Sequence, residues 1–171
     1  MDTASARNRV GALWVVVGVL GGASQAWAAP EPGFQFREAS GCAGLTLYTW
    51  NDERTEVLIL TVDQSHIALP NGDSTFGLGL ASEGVAVRVE MTDEPRDDFP
   101  YCSNEESTPV RPVVWTAASG RVRVTVARRP RAPFSPVTVQ LERLVLNGPA
   151  GAQVRQRKEV RFTAAIGDPI R

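Results

Sequence analysis

The chain has 171 residues with 18 Lys and Arg, 19 Asp and Glu and a single His, for a formal net charge of −1. Hydrophobic residues make up 43% and charged residues 22%, a globular composition for one domain rather than a disordered or collagenous one. One His and two Cys exclude the common zinc and blue-copper ligand sets, and the near-neutral total argues against a nucleic-acid binder.

The N-terminus reads as a secretory signal peptide. Arg7 and Arg9 outweigh Asp2, residues 10–23 carry no charge, and Ala26-Trp27-Ala28 offers the small-x-small spacing of a signal peptidase site. The apolar run is shorter than the roughly 20 residues a spanning helix needs. Cleavage is expected after Ala28, giving a signal peptide at residues 1–28, an N-terminal segment at 29–40 and one domain at 41–171. No later segment is apolar enough to anchor the product in a membrane, so the expected location is secreted or periplasmic.

Cys42 and Cys102 suit an oxidising compartment and are expected to form one disulfide. Closing so long a loop would stabilise the fold by about 4 kcal/mol in the chain-entropy description. Tyr48 and Trp50 share one strand face. They could stack on a glycan together with Tyr101 and Trp115, although core packing is the competing role for such rings.

From there the apolar period is two. Residues 45–50 and 55–62 form a hairpin around Asn51-Asp52-Glu53-Arg54. The run Val57-Leu58-Ile59-Leu60 is apolar on both faces, which marks a strand covered on both sides. The tract 70–73 is a turn. Val85, Val87 and Val89 alternate with polar partners. Residues 113–117 and 121–128 read as two strands joined at Ser119-Gly120, and the proline-rich tract 129–136 as a loop. Residues 137–147 and 153–166 make a last long pair, with a bulge at Glu142-Arg143 where the apolar phase slips by one. Eight or nine strands and no useful helix predict an all-β, antiparallel sandwich, immunoglobulin-like or jelly-roll-like. A β-barrel is the alternative.

Charge is segregated. Residues 31–110 hold 15 acidic and 4 basic groups, and residues 111–171 hold 3 acidic and 12 basic. Either the halves pair inside the fold, or the surface is dipolar and presents a basic patch to an anionic partner. Candidate anion-binding residues are Arg121, Arg123, Arg155, Arg157 and Arg161. In the acidic stretch, Asp93, Asp97 and Asp98 are weak calcium candidates without EF-hand spacing.

Catalytic motifs are missing. His66 has Asp63 and Ser65 beside it in sequence, but no nucleophile elbow, nucleotide loop or Ser-Lys pattern exists. No cofactor is expected. The expectation is an exported, non-catalytic binding or interaction module whose partner is an anionic glycan or another exported protein. A structural envelope-associated protein is the alternative, and a hydrolase comes third.

Overall fold

The computed structural model describes residues 29–42, 45–67, 69–79, 84–96, 111–127 and 134–167. Among these residues nine strands form one antiparallel, open sheet: β1 Glu38–Cys42, β2 Thr46–Trp50, β3 Glu56–Val62, β4 Gly72–Leu78, β5 Val85–Met91, β6 Val113–Val126, β7 Phe134–Asn147, β8 Gln153–Arg155 and β9 Val160–Gly167. The strand order is β1-β2-β3-β5-β6-β7-β8, with β4 also paired to β6 and β9 also paired to β7. The only helical element among the described residues is a 3-10 turn at Pro149–Gly151.

The two 14-residue strands β6 and β7 tie two arms together, the first with β1, β2, β3, β5 and β8 at one end of the pair and the second with β4 and β9 at the other. The first part of β6 pairs with β5 and with the end of β7, while its second part pairs with β4 and with the start of β7. Between them the register shifts twice, at Ala117/Ser119 and at Ser119/Arg121. Arg143 has φ +53 and Gly120 φ +144 at this bend. A Cβ on residue 120 would lie 3.1 Å from the Leu144 backbone, so glycine serves both the angle and the close approach.

The expected bulge at Glu142-Arg143 is therefore present, but Ser119-Gly120 is no turn. It is the bend inside one continuous strand. The last pair differs too, because residues 153–166 split into β8 and β9. Gln156 fills the break. Its Nε2 donates to Leu141 O at 2.9 Å, and its Oε1 accepts from Leu144 N at 3.0 Å. The side chain thus satisfies backbone groups that the bulge removes from the ladder.

Pro136 belongs to β7 rather than to a loop. It stands opposite Ala127, whose N–H donates to Pro136 O at 3.0 Å, so the missing proline N–H falls at the very end of the β6–β7 ladder. β4 is an additional strand. Only Phe76 and Leu78 supply apolar side chains on its inward face, too few to reveal it in the sequence.

Both arms contribute to one core. Leu47, Leu58, Leu60, Val87, Val89 and Trp115 from the first arm pack with Val122, Val124, Val137, Val139, Leu141 and Phe162 from the second. At about 1.5–3 kcal/mol per buried aliphatic or aromatic side chain, this cluster dominates stability. Trp115 is fully buried, and its ring lies flat on Gly148, where a Cβ would come within 2.5 Å. The segment 31–37 is no free tail. Phe34 and Phe36 meet edge-to-face, 6.5 Å apart, and pack against the core.

Candidate anion-binding groove

A short strap, residues 31–37, leads into β1. Arg37 N donates to Trp50 O at 2.8 Å, extending the β1–β2 pairing by one residue. The strap is pinned further up by Glu56, whose carboxylate accepts from Gly33 N at 2.8 Å and from Phe34 N at 3.2 Å. Glu56 is only 5% exposed. Burial pushes its carboxyl above the ordinary range, against the lowering effect of the two backbone N–H groups and with a smaller push from Glu53. Asn51 Oδ1 in turn accepts from Thr55 N and Glu56 N, both at 3.0 Å, which fixes the start of β3.

Between the strap and β8 lies a groove of about 1080 Å³. Phe34, Phe36 and Val154 supply its apolar lining. Arg37, Arg155, Arg157 and Lys158 supply cations, against one carboxylate, Glu31. Arg37 reaches Asp52 at 3.1 Å in an exposed pair. Among the described residues Arg155, Arg157 and Lys158 have no ion-pair partner. A second depression of about 300 Å³ shares Arg157 and Lys158 and adds Arg143, Gln156, Glu142 and Glu159.

The five arginines singled out in the sequence thus divide. Arg155 and Arg157 line the groove. Arg121, Arg123 and Arg161 lie exposed on the outer face of the second arm, where Arg123 and Arg161 both stand opposite Gln140 of β7. Arg121 stands opposite Glu142, with a long 3.9 Å ion contact. The Thr125–Asp73 and Thr138–Thr163 hydrogen bonds, at 2.7 and 3.0 Å, continue this polar face.

The ion pairs between two described residues are Arg37–Asp52, Arg54–Glu38, Asp63–His66 and Arg88–Glu90 from the first half of the chain and Arg121–Glu142 from the second.

Tyr48 and Trp50 share a face as expected, but they are 8% and 5% exposed and pack with Val57 and Ile59 in a second cluster on the outer side of the first arm. Neither ring offers an open face for glycan stacking, and Trp115 is wholly interior; Tyr101 lies outside the described residues. Cys42 is half-buried against the same cluster, and Cys102 lies outside the described residues. Asp93 is exposed, while Asp97 and Asp98 lie outside the described residues. No group of three metal-ligating side chains exists among the described residues.

Asp63, Ser65 and His66 do touch. Ser65 Oγ donates to Asp63 Oδ1 at 2.6 Å, and His66 Nδ1 lies 2.9 Å from Asp63 Oδ2 and 3.0 Å from Ser65 Oγ. An acid–base relay places the carboxylate and the hydroxyl on different ring nitrogens. Here both meet Nδ1, in an exposed turn where Ser65 N also donates to Asp63. The cluster is a capped turn, and the Ser65 hydroxyl and backbone bonds, with His66, hold the Asp63 carboxyl down to about 2.

Comparison with known proteins finds no matching family model, no similar curated protein and no similar solved structure. Neither the apolar period nor the charge pattern marks the strap, Glu56 or Gln156. A Phe-x-Phe pair directly before the first strand was the available signal for the strap.

Proposed function

We propose that this chain is an exported, non-catalytic binding module that holds an anionic partner in the groove between the strap and β8. The carrying observation is the cluster of Arg155, Arg157 and Lys158, without ion-pair partners among the described residues, beside Phe34 and Phe36. Arginine suits bidentate capture of carboxylate, sulfate or phosphate. The two arms act as a sandwich, supported by their shared core. Residues 1–28 act as the signal peptide, and Cys42 and Cys102 form the disulfide, which non-reducing peptide mapping by mass spectrometry checks.

Retention on immobilised dextran sulfate and on immobilised polyaspartate tests the groove. The chain is expected to bind at low salt and to elute as the Debye length shrinks to about 8 Å near physiological ionic strength. Arg155→Glu with Arg157→Glu abolishes retention, whereas Arg123→Glu with Arg161→Glu leaves it. The opposite pattern would move the site to the outer face of the second arm, and no retention on either matrix refutes the reading.

A further inference from the structure

One wall of the groove is an open strand edge. β8 ends the strand order and, among the described residues, pairs only with β7, through Val145↔Arg155, Leu146↔Val154 and Asn147↔Gln153. Ladder alternation fixes which groups face the opening. Gln156 N donates to Leu144 O and Gly148 N donates to Ala152 O, both at 2.8 Å. Positions 152 and 156 therefore bond toward β7, as does 154 between them. Gln153 and Arg155 turn their N–H and C=O groups away from β7, and among the described residues no strand pairs with them.

We propose that the groove takes an extended acidic peptide, which adds to β8 as a further strand. This rests on the anion-binding reading above and names its ligand class. Backbone groups of Gln153 and Arg155 supply the hydrogen bonds, while Arg37, Arg155, Arg157 and Lys158 receive the carboxylates. An edge repeating donor and acceptor every second residue is matched by another peptide backbone. A sulfated glycan would use the cations and leave the edge unmet. Two copies of β8 would bring like charges together, a device that blunts self-pairing of edges. The same charges favour an acidic strand.

The test uses the full exported chain and a labelled seven-residue peptide of alternating glutamate and valine, read by fluorescence anisotropy. Two further peptides carry N-methyl groups on alternate amides, in the two opposite registers. One methylated peptide is expected to bind about tenfold more weakly and the other within about twofold, because a strand shows a partner only every second amide. A one-residue slip cannot evade this, since it turns every carboxylate to the other face. Gln153→Pro removes one edge donor and keeps the backbone ladder to β7, Gln153→Ala controls for the lost side-chain bond from Gln153 Nε2 to Asn147 Oδ1, and Ala152 already holds the extended φ −59, ψ 146 that a following proline requires. The proline variant is expected to weaken peptide binding severalfold with an unchanged circular dichroism spectrum.

Equal binding of both methylated peptides overturns the strand-addition proposal. If Arg155→Glu with Arg157→Glu still abolishes binding in that case, the anion-binding reading stands alone. Dextran sulfate displacing the peptide at equal charge, with Gln153→Pro inert, assigns the groove to a glycan instead. A dimer in sedimentation that the peptide dissolves assigns the edge to a second copy. Failure of every anion to bind removes both readings.

Discussion

The two arms of the sheet solve different problems with the same strand pattern. In the first arm β3 is buried on both faces: Leu58 and Leu60 point into the main core, while Val57 and Ile59 join Tyr48 and Trp50 on the outer side. The second arm buries one face and wets the other, so Val122, Val124, Val137 and Val139 alternate with Arg121, Arg123, Thr138 and Gln140. Strict alternation marks a one-sided strand and a continuous apolar run marks a two-sided one. The arm with two apolar faces should depend on both, and the other arm should tolerate change on its outer face.

Paired truncations press hardest on that contrast. Leu58→Ala and Ile59→Ala, on opposite faces of β3, are each expected to cost about 2–5 kcal/mol in denaturant melts. A near-neutral Ile59→Ala would mean that the outer cluster is only skin. Gly148→Ala should cost about 1–3 kcal/mol, since its Cβ must enter the space of the Trp115 ring where the arms join. Gln156→Ala strips the substitutes from Leu141 O and Leu144 N at the bend and should cost about 1–3 kcal/mol, with Gln156→Glu restoring at most the acceptor half. Arg123→Ala and Thr138→Ala, on the wet face of the second arm, should stay within about 0.5 kcal/mol.

The smallest effect is in pH, and it lies within the first arm. Glu56 holds its proton more tightly folded than unfolded, so its protonation favours the fold. That contribution is complete below its ordinary 4.5 and is lost as pH rises through the raised value. Asp63, held at about 2, behaves in the opposite sense: it favours the fold above its ordinary 3.8 and loses this as pH falls toward about 2. Unfolding free energies across the acid range should therefore flatten on the higher-pH side in Glu56→Gln and on the lower-pH side in Asp63→Asn. Parallel curves for wild type and Asp63→Asn would show that the exposed turn does not couple to folding.

Much of the fold was legible because valine alternates so regularly. Val85, Val87 and Val89, and Val122, Val124 and Val126, announce their strands without help. β4 was not legible, because Asp73, Thr75 and Gly77 face outward and Ser74 weakens the inward face. The division of residues 153–166 was hidden for another reason: a glutamine side chain replaces ladder bonds across a bulge, which only tertiary contact reveals. The groove was half visible. Arg155 and Arg157 stood out by charge, but the opposite wall read only as an N-terminal segment before the domain, and its anchor was a single glutamate among many.

Gly41 carries one more consequence. A Cβ there would lie 3.2 Å from Ala165 O, so the bare Cα lets β1 lie against β9 without a ladder between them. The first and last strands among the described residues thus meet, the most sequence-remote strand contact among them. Such contacts form late and slow the search for the native state. This chain should fold in the millisecond-to-second class typical of non-local β proteins. A circular permutant that joins the end of β9 to the strap before β1 through a designed linker, and reopens the chain in the tight turn at residues 51–54, would turn that closure into a local event. It should therefore refold faster, while losing the covalent link that makes β2 and β3 a local hairpin.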